Sequence, residues 1–360
     1  MTDQSRPTDR LGTEAPAAQD PATVSGETVD RQVDSPTAEA AASDAVPSGP
    51  VVNRRTLMRR DEGMEEEVAA SAQSAVSSPQ SPVRIALRRF RRHRLALGGA
   101  VFIALLIVVA VFATWIAPHD PNTVNVMSFR DPPSAEHWLG TDSAGRDVLS
   151  RLIHGARVSL TVGIAAALSA AGLGTLLGLV AGVFGRWVDT AIMRLVDVFL
   201  SFPSLIVILL LVAVLGPSIW TIVVVIALFE WPTACRIVRQ LALSYKEMDF
   251  VLAARATGAS RLRIMRRHIV AGVLSPLTVV ATLLSAQAIL LEAALSFLGL
   301  GVKQPQASWG GMLQAAQSLT ILQEMPWLWI PPGVAIAVTV LAINFIGDGL
   351  RDAFDPRQQM

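Results

Sequence analysis

Apolar residues along this chain come in long blocks rather than in short periodic runs. Leu95–Ala117, Ser159–Gly185, Val198–Phe229, Ile269–Leu291 and Trp327–Gly347 contain no Asp, Glu, Lys or Arg. A helix of about 20 residues crosses roughly 30 Å of hydrocarbon, so each block can span a bilayer. Val198–Phe229 is too long for one span and carries Gly216-Pro217 near its middle, a dipeptide that marks a tight turn between two spans. The pattern predicts an all-α membrane protein with six transmembrane helices at about 95–117, 159–185, 195–215, 218–238, 269–298 and 327–347.

Composition changes the picture at the N-terminus. Residues 1–83 are rich in Ala, Ser, Thr, Pro and acids, with about twice as many acids as bases. Such a stretch buries too little apolar surface to offset the entropy of ordering it, so a disordered acidic tail is expected there. It lacks the charged-then-apolar order of a signal peptide. Residues 84–94, RIALRRFRRHR, place six arginines just before the first span. They read as a topogenic anchor at anionic headgroups. The net charge of +1 says little about partners, but its distribution is uneven. Arg186, Arg194, Arg236, Arg239, Lys246, Arg255, Arg261, Arg263, Arg266, Arg267, Arg351 and Arg357 fall on one side of the predicted topology. Only Arg130, Arg146, Arg151, Arg157 and Lys303 fall on the other. The positive-inside rule then puts both termini in the cytoplasm.

Within the spans, Ala166, Ala170, Gly174, Gly178 and Gly182 repeat every fourth residue. A stripe of small residues lets a second helix approach closely, and packing is favoured here over a pore-lining role. Glu292 is the one acid deep in a span; it is either a hydrogen-bond partner for a neighbouring helix or part of a translocation path. Cys235 stands alone and reads as an apolar filler.

Catalytic signatures are missing. The sequence holds no Gly-Lys pair, hence no G-x-x-x-x-G-K-[ST] phosphate loop, and no H-E-x-x-H or G-x-S-x-G. The five histidines, His93, His119, His137, His154 and His268, are scattered, and no metal site or bound cofactor is expected. Asp197 and Asp348 lack any motif that would make them an intramembrane aspartyl pair. Neither an enzyme nor a nucleic-acid-binding protein is indicated. A self-contained secondary transporter would more naturally show inverted repeats or several intramembrane charges.

The segment 239–268 between the fourth and fifth spans is different. Glu247–Thr257 predicts a short helix with Phe250, Val251 and Ala254 on one face and Asp249 and Arg255 elsewhere. Gly258 breaks it, and a second, basic helix starts at the N-cap Ser260 and runs into the fifth span. Ala253 and Ala254 are small where another surface would sit close. A membrane-surface helix would leave the break and the small pair unexplained.

AARATGASRLRIMRRHI at 253–269 resembles the EAA loop of binding-protein-dependent ABC importer permeases. LGTDSAGRDVLSRLIHGARVSL at 139–160, IMRLVDVFLSFPSL at 192–205, EAALSFLGLGV at 292–302 and GDGLRDAFDPR at 347–357 narrow the resemblance to the C-type subunit of dipeptide, oligopeptide and nickel importers. The similarity runs over roughly 85–357. Leu252 stands where the family has glutamate and Ala271 where it has a late proline. The resemblance implies a permease domain over 95–357 in the bacterial plasma membrane. It implies three kinds of partner: a second homologous permease subunit, two cytoplasmic ATPases that carry ATP and magnesium, and an extracytoplasmic solute-binding protein. Asp249, Phe250, Ala253, Ala254, Arg255 and Gly258 would belong to the ATPase-coupling helix. Asp142, Arg146 and Asp147 would either face the binding protein or brace the bundle. The cargo implied is a di- or oligopeptide, with nickel or another small solute as the alternative.

Overall fold

A computed structural model describes residues 87–354; the tail expected over 1–83 lies outside them. Among the described residues there is no strand, only an isolated bridge between Thr141 and Asp147. Helix α1 (Arg94–Val111) begins where His93 Nδ1 accepts the Ala96 N–H at 3.1 Å. A short α2 (Ala113–Ile116) and an irregular segment lead to α3 (Val148–Phe184). Then come α4 (Arg186–Leu200), α5 (Ser204–Leu215), α6 (Ile219–Lys246) and the short α7 (Asp249–Ala256). The chain returns through α8 (Arg261–Ile264), a π-helical turn at Met265–Ile269, and α9 (Val270–Phe297). Two short helices, α10 (Trp309–Ala315) and α11 (Leu319–Glu324), precede α12 (Pro326–Phe354).

Five of these, α1, α3, α6, the run from α8 through α9, and α12, are long and apolar enough to cross a membrane. The expected third span is a bent pair rather than a straight helix: α4 and α5 taken together are apolar enough to make a sixth span. α4 and α5 meet at 82° around Ser201–Pro203. Proline lacks an N–H and disfavours helical backbone in the residue before it, which ends α4 near Phe202. Only α5, 12 residues or about 18 Å of helix, is continuously apolar. α4 is amphipathic and fastened to α6 by ion pairs: Arg236 Nη2 to Asp197 Oδ1 at 2.6 Å and Arg239 Nη2 to Asp189 Oδ2 at 2.7 Å. The turn expected at Gly216-Pro217 is present, with Gly216 at φ +87° and Ser218 capping α6 through the Thr221 N–H.

α3 is the central helix, packed by α1, α6 and α9, with α12 closing the bundle against α1 and α9. Its 37 residues extend about 55 Å. The glycine stripe faces α6. A Cβ on Gly174 would lie 2.6 Å from the Trp231 carbonyl oxygen, one on Gly178 2.6 Å from that of Cys235, and one on Gly182 2.7 Å from Ala242 Cβ. Cys235 is buried on the same seam beside Trp231 and Val196. The second span was expected from residue 159, yet α3 starts at Val148. Arg151 and His154 obscure that start in the sequence, because hydropathy does not register the partners that folding supplies: Asp142 and the Pro121 carbonyl for Arg151, the Ser150 carbonyl for His154.

Candidate functional site

At the C-terminal end of α3 lies the loop between α6 and α9. Val251 is fully buried among Leu179, Val183, Val238, Ala242, Ile264, Ile269 and Val273, and so pins α7 to the bundle. Its neighbours point away: Met248, Phe250 and Leu252 are exposed, as are Asp249, Ala253 and Arg255, while Ala254 is half-buried. The single face expected for Phe250, Val251 and Ala254 is therefore divided, with Val251 inward and Phe250 outward near His268. Leu252 extends the exposed apolar surface.

The break after α7 has a defined geometry. The Gly258 N–H donates to Arg255 O and the Ala259 N–H to Ala254 O, each at 3.0 Å, with Gly258 at φ +83°. These are the paired bonds of a Schellman motif, which uses glycine because its left-handed backbone carries no Cβ penalty. A Cβ there would meet nothing within 4 Å, so only backbone strain opposes substitution. Gly258→Ala is expected to loosen α7 by about 1–2 kcal/mol. That should show as faster amide hydrogen exchange over 249–259 while the melting temperature of the bundle stays unchanged.

Sequence reasoning missed the anchors of this loop. The Tyr245 hydroxyl donates to Gly272 O at 3.1 Å, and its ring covers Gly272, where a Cβ would come within 2.5 Å of Cζ. This contact joins the end of α6 to the start of α9. Lys246 Nζ reaches Gly182 O at 3.5 Å and Arg261 Nη1 reaches Phe184 O at 3.4 Å, so cations from both sides of the loop meet the C-terminal carbonyls of α3. A π-helical turn at Met265–Ile269 stands just before Ala271, the position of the family's late proline.

Glu292 is fully enclosed. Its Oε2 accepts from Ser159 Oγ on α3 at 2.9 Å and its Oε1 from Ser296 Oγ at 2.7 Å. Ser308 Oγ lies 3.3 Å from Ser296 Oγ, and the Trp309 N–H points at Ser159 Oγ at 3.4 Å. The carboxylate thus ties α3, α9 and the start of α10 together.

At the opposite end of α3, Asp142, Arg146 and Asp147 are turned inward. Asp142 Oδ1 accepts the Ala144 and Arg146 N–H groups, and its Oδ2 takes Arg146 Nε at 2.8 Å, with Arg151 Nε at 3.4 Å. Arg146 Nη1 donates to Gln304 Oε1 at 2.6 Å. Asp147 caps α3, its Oδ2 accepting both the N–H and Oγ–H of Ser150 at 2.7 Å. Arg146 and Asp147 are buried and Asp142 is half-buried, while the exposed groups of this segment include Val126, Met127, Phe129, Asp131, Glu136 and Trp138. His119 and His137, far apart in sequence from Asp147, stand beside it.

Residues 174–360 match the family described as binding-protein-dependent transport system inner membrane component, and residues 81–133 match the N-terminal TM domain of oligopeptide transport permease C. A putative peptide permease protein of Brucella suis biovar 1 is 44% identical over 287 residues, covering 79% of this chain and 95% of the relative. The chain belongs to the binding-protein-dependent permease family. The permease is also 42% identical over 279 residues to a dipeptide transport system permease protein of Alkalihalophilus pseudofirmus, covering 78% and 91% of the two chains. A putative peptide transport system permease protein of Brucella abortus biovar 1 is 40% identical over 297 residues, covering 82% and 99%. The permease is a multi-pass membrane protein and a C-type transport subunit of an ABC transporter.

Proposed function

We propose that this permease forms half of the translocation path of an ATP-driven importer of di- or oligopeptides and couples that path to a separate ATPase through α7. One observation above all supports it: a short helix anchored by buried Val251 leaves Met248, Phe250, Leu252 and Ala253 exposed, an apolar surface suited to a partner. Peptide as cargo follows the names of the relatives. Both termini lie in the cytoplasm, as does α7. A homologous permease subunit completes the path, two cytoplasmic ATPases bind ATP and magnesium, and a solute-binding protein delivers cargo from outside.

Coupling follows from how α7 is attached. Displacement of α7 acts on α6, on which it directly follows, and on α9 through the Ser260-capped turn. The Tyr245–Gly272 contact makes those two helices move together. The glycine seam and the Lys246 contact carry the motion to α3. Glu292 fixes α3 against α9, in a structural rather than a cargo-binding role.

Affinity purification of the full chain from its native membrane, wild type beside Phe250→Asp, tests the reading. Phe250 is 48% exposed, so its replacement should leave folding intact. Wild type is expected to bring down an ATPase and a second permease subunit, and Phe250→Asp to lose the ATPase while keeping the membrane partner. Wild type that purifies alone and moves solute in vesicles without ATP would sink the importer reading. Loss of labelled dipeptide uptake on deleting the gene, restored by the wild-type chain, checks the cargo.

A further inference from the structure

We propose that His119, His137 and Asp147 form a binding site for a divalent transition metal of the zinc class, which clips the segment after α2 to the start of α3. Three separate stretches of chain supply the ligands, and one nitrogen or oxygen from each lies within 4.8 Å of the others. His137 Nδ1 is 2.9 Å from Asp147 Oδ1, and His119 Nδ1 is 3.8 Å from the same oxygen. Zinc bonds of about 2.0–2.2 Å at tetrahedral angles place two ligand atoms roughly 3.3 Å apart. The two observed separations bracket that value, so small side-chain adjustments accommodate an ion.

The polar inventory points the same way. Among the described residues, only His137 is within hydrogen-bond distance of Oδ1. His119 Nδ1 is a buried atom with no hydrogen-bond partner, an arrangement that native structures seldom leave unexplained. A cation at the centre gives both imidazoles and the carboxylate oxygen a common partner. The surroundings hold the ligands in place as outer-shell groups do in metal sites. Ser150 occupies Asp147 Oδ2 with its N–H and Oγ–H, which leaves Oδ1 for the histidines. The His119 N–H donates to Ser150 Oγ at 3.1 Å. His137 is fixed through its own N–H to Ser134 Oγ at 3.0 Å and through its carbonyl to the Ser134 and Gly140 N–H groups. Two imidazoles and one carboxylate suit zinc and its first-row neighbours, not magnesium or calcium. The site is independent of the ATPase contact, since it lies at the end of α3 away from α7.

The test uses the full chain purified through a tag without histidine, stripped with chelator and titrated with Zn2+ against a chromophoric competitor. Co2+ serves as a second probe, read by its visible absorption. Wild type should bind one equivalent of Zn2+, and Zn2+ should raise its melting temperature. His119→Asn should weaken binding by more than about tenfold, since loss of even an outer-shell partner costs that much, and abolish the thermal shift. The His119 side chain makes no hydrogen bond, so this variant should fold normally, as circular dichroism would verify. His154→Asn, about two turns further along α3 and outside the trio, should bind as wild type does. Absence of one-to-one binding in wild type, or equal affinity in His119→Asn, would overturn the proposal and leave the trio as a hydrogen-bonded brace.

Discussion

Glu292→Ala is expected to destabilise the permease by about 3–5 kcal/mol, while Glu292→Gln costs about 1 kcal/mol or less. Alanine removes the acceptors of Ser159 and Ser296 at once, and each buried hydroxyl left without a partner costs about 1–3 kcal/mol. It also opens a cavity at a fully enclosed position where three helices meet, and large-to-small changes at such sites cost about 2–5 kcal/mol. Partial re-pairing of the serines with their own helix carbonyls keeps the total below the sum. Glutamine retains the volume and one acceptor oxygen. Its amide can donate to the second hydroxyl, and interhelical hydrogen bonds in membranes contribute only about 0.6 kcal/mol each on average. Thermal unfolding of the detergent-solubilised chain would check both values. Equal losses in the two variants would mean that charge rather than hydrogen bonding and volume matters at this position.

Gly178→Leu is expected to disrupt the bundle, with a loss of at least about 3 kcal/mol and reduced yield of folded protein. The first added carbon would sit 2.6 Å from the Cys235 carbonyl oxygen and 2.9 Å from Val238 Cβ, and neither a backbone carbonyl nor a β-branched carbon can move aside cheaply. Overpacking alone costs about 1–3 kcal/mol, and forcing α3 from α6 also loses contacts along Gly174 and Gly182. Gly172→Ala is the matched control. Nothing lies within 4 Å of the added carbon, so the better helix propensity of alanine should leave stability equal or raised by up to about 1 kcal/mol. Size-exclusion profiles and melting curves of the two variants would separate the seam from a general intolerance of α3.

What could be read from the chain was local or periodic. The charge-free blocks located five membrane helices, the fourfold spacing marked the small-residue stripe, and Gly258 and Ser260 marked the edges of the loop break. What could not be read depended on partners distant in sequence. The start of α3 was hidden because Arg151 looks too polar for a span until Asp142 is placed against it. The bend between α4 and α5 was hidden because a block defined by apolar content does not register Pro203, which interrupts its backbone. Asp142, Arg146 and Asp147 looked like surface groups, since nothing in their own motif reveals that Gln304, Ser150 and two histidines will enclose them. Tyr245 carried no signal at all: its partner is a backbone carbonyl 27 residues away.

The continuity of α3 constrains how this gene can change. Ser159 must face Glu292 while Gly174, Gly178 and Gly182 face α6, all on a single unbroken helix. Inserting or deleting one residue between Ser159 and Gly174 rotates one set by about 100° relative to the other, and only changes near whole turns restore the phase. Length variation should therefore be excluded from that stretch and accommodated instead in the irregular segment before Asp147, where no helical phase has to be kept.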